Sequence, residues 1–247
     1  MCIRDSYGME RMMGRADTPL RRILNEAESR FCAHLPLVYV LTVIGLNEDG
    51  GLAIRGLFIG DDPECFHLAS ELSLTVNFTV LDREPKTIVA YLDPEEFHST
   101  WLGNKAVYRT RMLIADEGEL IVLAPGVRTF GEDQQIDQLI RKYGYRTSPE
   151  VLQMVKDNDD LANNLSAAAH LMHGSSENRF QITYCPGHLS AEEIRGVGYE
   201  YADLEPMMQR YNPETLADGW NDVDGKSIYF VRNPALGLWA SKDRIAP

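Results

Sequence analysis

The sequence predicts an α/β protein: a C-terminal three-layer α/β domain built on a parallel sheet, preceded by a differently patterned unit. Three observations carry this. Beyond about Pro85, short apolar runs alternate with helical patterns, the order expected of βαβ units. The runs at 87–92 and 119–124 are almost continuously apolar, as strands buried on both faces are. A polar, proline-bearing stretch, Leu81-Asp82-Arg83-Glu84-Pro85, separates this region from a differently patterned one before it.

The elements follow in order. Over 18–34, Leu20, Ile23, Leu24, Ala27 and Phe31 recur at helical spacing, with Thr18 as N-cap and Pro19 at the first helical position. The β-rich runs 37–46 and 52–59 flank Asp49-Gly50-Gly51, a turn signal, and predict an antiparallel pair. Asp61-Asp62-Pro63 opens a helix that buries Cys65, Leu68, Ala69 and Leu72. Strand 87–92 leads into a helix reaching about Ala115, and strand 119–124 into a helix over about 132–142. Helices at 149–156 and 160–173 precede a strand at 180–185. Ser190-Ala191-Glu192-Glu193 has capping-box spacing and opens another helix. Residues 227–231 are the last predicted strand, and apolar residues 233–239 are expected to be buried.

The 247 residues are 44% hydrophobic and 25% charged, enough for one large or two modest domains and unlike disordered, collagenous or disulfide-stapled chains. Lys+Arg number 24 against 37 Asp+Glu, a formal net charge of −13, which repels phosphate backbones and anionic lipid. Neither a nucleic acid nor a membrane is expected as a partner. The longest apolar stretch, 35–46, is far short of the roughly 20 residues that span a bilayer. Cys2, Cys32, Cys65 and Cys185 form no C-x-x-C pair and are expected to be reduced thiols of a cytoplasmic protein.

Met1-Cys2-Ile3-Arg4-Asp5-Ser6 fits the translation of a transposon-end sequencing oligonucleotide, so the reading frame is expected to enter the gene from an artificial junction. The expected organisation is adapter and leader over 1–8, a first unit over 9–81, an α/β domain over 82–225 and a return segment over 226–247.

Ligands of open parallel sheets bind beyond the carboxyl ends of the strands. After strand 87–92, a helix already running at His98 brings His98, Trp101, Lys105, Tyr108, Arg109 and Met112 to one face, with Ala106, Val107, Thr110, Leu113 and Ile114 on another. The first face is cationic and aromatic in an acidic chain, suited to a carboxylate. A solvated helix face is the competing explanation, and Gly103 is where the helix is weakest. His170 is expected to face the crevice, and His173 to act as a cation at a helix C-terminus beside Gly174. Neither has an accompanying carboxylate or third ligand for a metal. Cys185 and His188 juxtapose a thiol and an imidazole, without a second acid or an oxyanion motif.

The stretches Tyr91-Leu92-Asp93-Pro94-Glu95-Glu96-Phe97-His98-Ser99-Thr100-Trp101-Leu102-Gly103-Asn104-Lys105-Ala106 and Asn164-Leu165-Ser166-Ala167-Ala168-Ala169-His170-Leu171-Met172-His173-Gly174-Ser175-Ser176 resemble the lactate racemase family, and the resemblance runs from about Met12 to the end. It implies a racemase or epimerase of a small 2-hydroxy acid, working by hydride transfer to a nickel-pincer nucleotide (a pyridinium-3,5-bisthiocarboxylic acid mononucleotide holding nickel). The tethering lysine, the nickel-binding histidine and the two proton-shuttling histidines of that family belong upstream of the matched stretch. A fragment inactive by itself is therefore implied, with 9–81 the C-terminal part, or tail, of a larger α/β catalytic domain that bears the cofactor. The family's lysine in Lys-Ala matches Lys105-Ala106, which implies contact between Lys105 and substrate or cofactor. His98, Trp101, Arg109 and His170 are the expected substrate-binding residues around it. Leu102 stands where lactate-specific members carry glutamine, which implies a larger acid than lactate. Two other readings compete: a non-catalytic binding or cofactor-handling protein on the same fold, and an α/β-hydrolase-like enzyme using Cys185 and His188.

Overall fold

A computed structural model describes residues 8–47 and 49–245, so the adapter reading of residues 1–6 lies outside the described residues. The chain divides into two compact units, with the boundary between Thr79 and Val80.

The first unit holds a 3-10 turn at Met9–Arg11, helix α1 (Pro19–Phe31), strands β1 (Tyr39–Leu46) and β2 (Leu52–Gly60), and helix α2 (Pro63–Asn77). Thr18 caps α1 by accepting from Arg21 N–H, and Asp62 caps α2. β1 and β2 pair antiparallel, with Arg55 bulged where the register shifts between Val43 and Ile44. Glycines let α2 lie close on this hairpin: a Cβ on Gly45 would stand 2.2 Å from Val76, and one on Gly56 2.3 Å from Leu72. Cys65 and Ala69 are buried there, whereas Leu68, expected to be buried, is exposed. The opposite face of the hairpin, with the pairs Val40/Ile59, Ile44/Ile54 and Leu46/Leu52, is open to solvent.

Strand β3 (Phe78–Leu81) crosses the boundary. The second unit then runs β4 (Thr87–Tyr91), α3 (Thr100–Gly103), α4 (Lys105–Thr110), β5 (Glu119–Ala124), α5 (Gln134–Tyr143), α6 (Ser148–Asp157), α7 (Asp159–Ala162), α8 (Leu165–His173), β6 (Gln181–Pro186), α9 (Ala191–Gly196), β7 (Glu200–Tyr201), α10 (Leu204–Arg210), β8 (Gly219–Val223), β9 (Lys226–Val231), β10 (Leu238–Ser241) and α11 (Lys242–Ile245). Its sheet has the order β7-β6-β5-β4-β9-β8, parallel except for β8 against β9.

Alternate residues of these strands feed two cores, as period-two geometry demands. Ile88, Ala90, Leu120, Val122, Ile182 and Tyr184 pack with α4, α5, α6 and α8 on one face. Val89, Ile121, Leu123, Cys185, Ile228 and Phe230 pack toward Tyr211 and the methionines of α10 on the other. This is a mixed α/β, three-layer domain with a mostly parallel sheet.

Further expectations are corrected, among them the single helix over 160–173, which is two, α7 and α8, parted at Asn163 and Asn164. The single helix from His98 to about Ala115 is two short helices, because Asn104 (φ −69°, ψ 0°) closes a tight turn whose N–H bonds back to Thr100 and Leu102 carbonyls. His98 precedes them, and Met112, expected on the polar face, is buried. The short or polar strands β7, β8 and β10 carry too little apolar signal to be read from sequence.

Candidate functional site

The strand order reverses at β4, which has β5, the next strand of this sheet in sequence, on one side and β9, from late in the chain, on the other. The carboxyl ends of β4 and β9 therefore mark the crevice where a ligand is expected in such sheets. Asn233, just after β9, donates to the Glu96 carboxylate in the loop after β4 at 2.8 Å. The turns after β5 and β6 pack backbone on backbone: a Cβ on Gly126 would lie 2.7 Å from the Pro94 carbonyl oxygen, and one on Gly187 2.1 Å from that of Pro125. The segment that follows β4 carries most of the candidate side chains read from the sequence.

In that segment Ser99 caps α3, its hydroxyl accepting from Leu102 N–H and donating to the Glu132 carboxylate. Trp101 and Lys105 follow. The indole of Trp101 stacks on the imidazole of His170 from α8, ring centroids 4.5 Å apart. His170 Nε2 lies 3.1 Å from the Tyr145 hydroxyl, which lies 2.7 Å from Thr100 Oγ1. Thr100 Oγ1 donates in turn to the Phe130 carbonyl at 2.9 Å. Tyr199 stacks on Tyr145 at 4.6 Å, and Tyr184 on Tyr199 at 5.6 Å.

Burial sets the charge states here. Removal from water, and secondarily the nearby His173, push His170 down to about 3, so the ring is neutral at physiological pH. Desolvation raises the phenols of Tyr145, Tyr184 and Tyr199, and the nearby Asn104 amide opposes the rise at Tyr145 and Tyr199. The Asn104 amide and the Tyr184 hydroxyl are buried without a partner at hydrogen-bond geometry.

Lys105 is half-buried, its ammonium 5.8 Å from the ring centroid of buried Phe97 in the loop after β4, with no carboxylate of the described residues in ion-pair contact. The other two predicted residues are turned to protein partners. Arg109 donates from one nitrogen to the carbonyls of Ala235 and Gly237, at 2.8 and 3.0 Å, and so clamps the segment before β10. His98 is exposed, with Nδ1 3.1 Å from an Arg128 guanidinium nitrogen. The structure thus joins Trp101 to His170, sets Lys105 one helix further on, and directs His98 and Arg109 elsewhere.

No family profile matches the sequence, and neither does any curated protein. Solved structures do. A structural-genomics protein of Thermotoga maritima superposes with a TM-score of 0.76 at 21% identity, over 96% of this chain and 57% of its own. The lactate racemase apoprotein of Thermoanaerobacterium thermosaccharolyticum superposes with a TM-score of 0.57 at 11% identity, over 90% of this chain and 49% of its own. The fold is lactate racemase-like. The chain spans little more than half the length of the Thermotoga protein and about half that of the racemase.

Among the described residues, no three His, Cys, Asp or Glu side chains gather into a group that would hold a metal. No helix among them is long and apolar enough to cross a membrane. Cys185 is fully buried, and desolvation pushes its thiol up to about 12, far from an activated nucleophile, while His188 is an exposed loop residue. The hydrolase-like alternative finds no support in this geometry. Tyr145, Thr100 and Asn104 were not legible as site residues. Tyr145 stands alone between two helices, and the polar Thr100 and Asn104 look like ordinary capping residues.

Proposed function

We propose that this chain is part of a racemase or epimerase of small 2-hydroxy carboxylic acids. The observation that carries the reading is Lys105: a half-buried ammonium without a carboxylate partner among the described residues, in the segment after β4, on a lactate racemase-like fold. An unpaired cation shielded on one side by Phe97 attracts a carboxylate more strongly than a solvated one does. In this reading Lys105 holds the acid group, and Trp101 with His170 forms an adjoining wall. Arg109 acts at a distance by fixing residues 235–237.

The nickel-pincer nucleotide belongs to the same proposal. Among the described residues no three His, Cys, Asp or Glu side chains gather into a metal-holding group, and the resemblance puts the nickel-binding histidine upstream of them, so no step is derived through the cofactor. Lys105 is the residue suited to an anionic group of substrate or cofactor.

The test is chiral chromatography of single-enantiomer 2-hydroxy acids incubated with this chain and with the gene product as encoded in the source DNA. Racemisation that Lys105→Ala removes, with folding and cofactor content intact, supports the reading. Unchanged kinetics in that variant, or no turnover by either protein, sinks it.

A further inference from the structure

The polar groups behind Trp101 form a hydrogen-bond chain with a direction. Thr100 Oγ1 carries one hydrogen and has two neighbours, the Phe130 carbonyl at 2.9 Å and the Tyr145 hydroxyl oxygen at 2.7 Å. A carbonyl can only accept. When Thr100 donates to Phe130, Tyr145 donates to Thr100, and the phenol oxygen accepts from His170 Nε2–H at 3.1 Å. Three hydrogen bonds result. The reverse order, Thr100 to Tyr145 and Tyr145 to His170, makes only two from the same atoms. In a buried site the arrangement with the extra bond is favoured, and aligned bonds polarise one another in the same sense. The hydrogen of the neutral imidazole therefore resides on Nε2, and Nδ1 carries a bare lone pair.

Among the described residues Nδ1 has no hydrogen-bond partner, yet it is not one of the fully buried side-chain atoms left without one, in a residue that keeps 5% exposure; this leaves Nδ1 open to a ligand. A half-turn of the ring about Cβ–Cγ would take Nε2 away from Tyr145, and the neighbouring rings oppose it: Trp101 stacks on the imidazole with centroids 4.5 Å apart, and Tyr145 meets it edge-on at 5.5 Å. Burial and His173 disfavour a second proton, so the lone pair stays available.

We propose that His170 Nδ1 accepts a hydrogen bond from the hydroxyl of a bound ligand, and that Tyr145 and Thr100 are positioning residues that fix the imidazole tautomer. The tautomer follows from the hydrogen-bond chain alone; only the ligand class, a 2-hydroxy acid, rests on the proposed function. No covalent step is involved. An acceptor at this point distinguishes a hydroxy acid from the same acid without its hydroxyl, a discrimination that the Lys105 cation cannot make.

Nitrogen-15 NMR of the histidine-labelled chain reads the tautomer directly, with His170→Asn identifying the resonance. The expected spectrum has hydrogen on Nε2 and an unprotonated Nδ1. In Thr100→Val, which keeps the shape and removes the hydroxyl, Tyr145 is released to donate to His170 and the hydrogen moves to Nδ1. Hydrogen on Nδ1 in the unmodified chain overturns the proposal whether or not the variant folds. So does a folded Thr100→Val variant with an unchanged tautomer. Titration with lactate, against propionate lacking only the hydroxyl, should shift the Nδ1 resonance at least tenfold more for lactate at equal concentration. Equal shifts, or none, overturn hydroxyl recognition. Absence of racemisation with a lactate-specific shift would sink the proposed function and leave this inference standing.

Discussion

The imidazole of His170 lies 30° from parallel to the indole of Trp101, a contact that joins helix α8 to the segment after β4. The ring is neutral because its folded-state pKa, about 3, lies below the ordinary value of 6.5. The unfolded chain therefore takes up a proton first as pH falls, and acid favours unfolding. The stability tied to neutral His170 is fully present above about pH 6.5 and is lost as pH falls toward 3, by up to about 1.4 kcal/mol per unit. Urea denaturation between pH 7 and 4 should show the gap between the unmodified chain and His170→Asn narrowing with acidity. Parallel curves would contradict the assignment.

Tyr145→Phe removes the oxygen that links Thr100 to His170. It leaves the His170 Nε2 donor buried without an acceptor, at an expected cost of about 1–3 kcal/mol. For a chain of this size each kcal/mol corresponds to roughly 2–4 °C in Tm. A thermal melt within a degree of the unmodified chain would show that the linkage contributes nothing.

The parallel sheet was legible because its inner strands are apolar on both faces, so 87–92, 119–124 and 180–185 stand out without any partner. The outer strands were not. β8, Gly-Trp-Asn-Asp-Val, is half-exposed and reads as a loop, and β7 has only two residues. At the site, spacing put six residues on one helical face, and the kink at Asn104 redistributed them. Arg109 looked like a carboxylate ligand because a sequence does not show that Ala235 and Gly237 carbonyls come to meet it. His170 was legible only as a histidine on an apolar helix; its partner Tyr145 lies 25 residues away and depends on the tertiary fold.

Gly174 follows α8 with ordinary negative φ, so backbone freedom is not its purpose. Space is the reason: a Cβ there would stand 2.4 Å from Asn104 Nδ2 and 2.4 Å from the Tyr145 ring. Gly174→Ala should cost about 1–3 kcal/mol through overpacking. It should also disturb the His170 resonances through Tyr145. A stable variant with an unaltered spectrum would mean that the contact yields freely.

Cys185 is fully buried on β6 with its thiol held protonated, whereas Cys32 is partly exposed. A thiol-reactive probe at neutral pH should modify Cys32 in the folded protein and reach Cys185 only in denaturant. Mass mapping of the labelled peptides checks this. Rapid labelling of Cys185 under native conditions would reopen nucleophilic chemistry at that position.

The open face of the β1–β2 hairpin carries Val40, Ile44, Leu46, Leu52, Ile54, Leu57 and Ile59, all exposed, on a unit whose buried apolar side chains are Val43, Cys65 and Ala69 among the described residues. Contiguous apolar surface of that kind drives association of isolated chains. The net charge of −13 opposes it only at short range, since charges are screened beyond about 8 Å at physiological ionic strength. Ile54 and Leu57 point away from α2, so Ile54→Lys with Leu57→Lys removes apolar area without opening the packed face. The double variant should sediment as a smaller, more uniform species than the unmodified chain, with dye binding to exposed apolar surface reduced and the melting of the second unit unchanged. Unmodified chain that is already monodisperse and binds no dye would show that this face is harmless in water, and the apolar pairs across the hairpin would then need a different explanation.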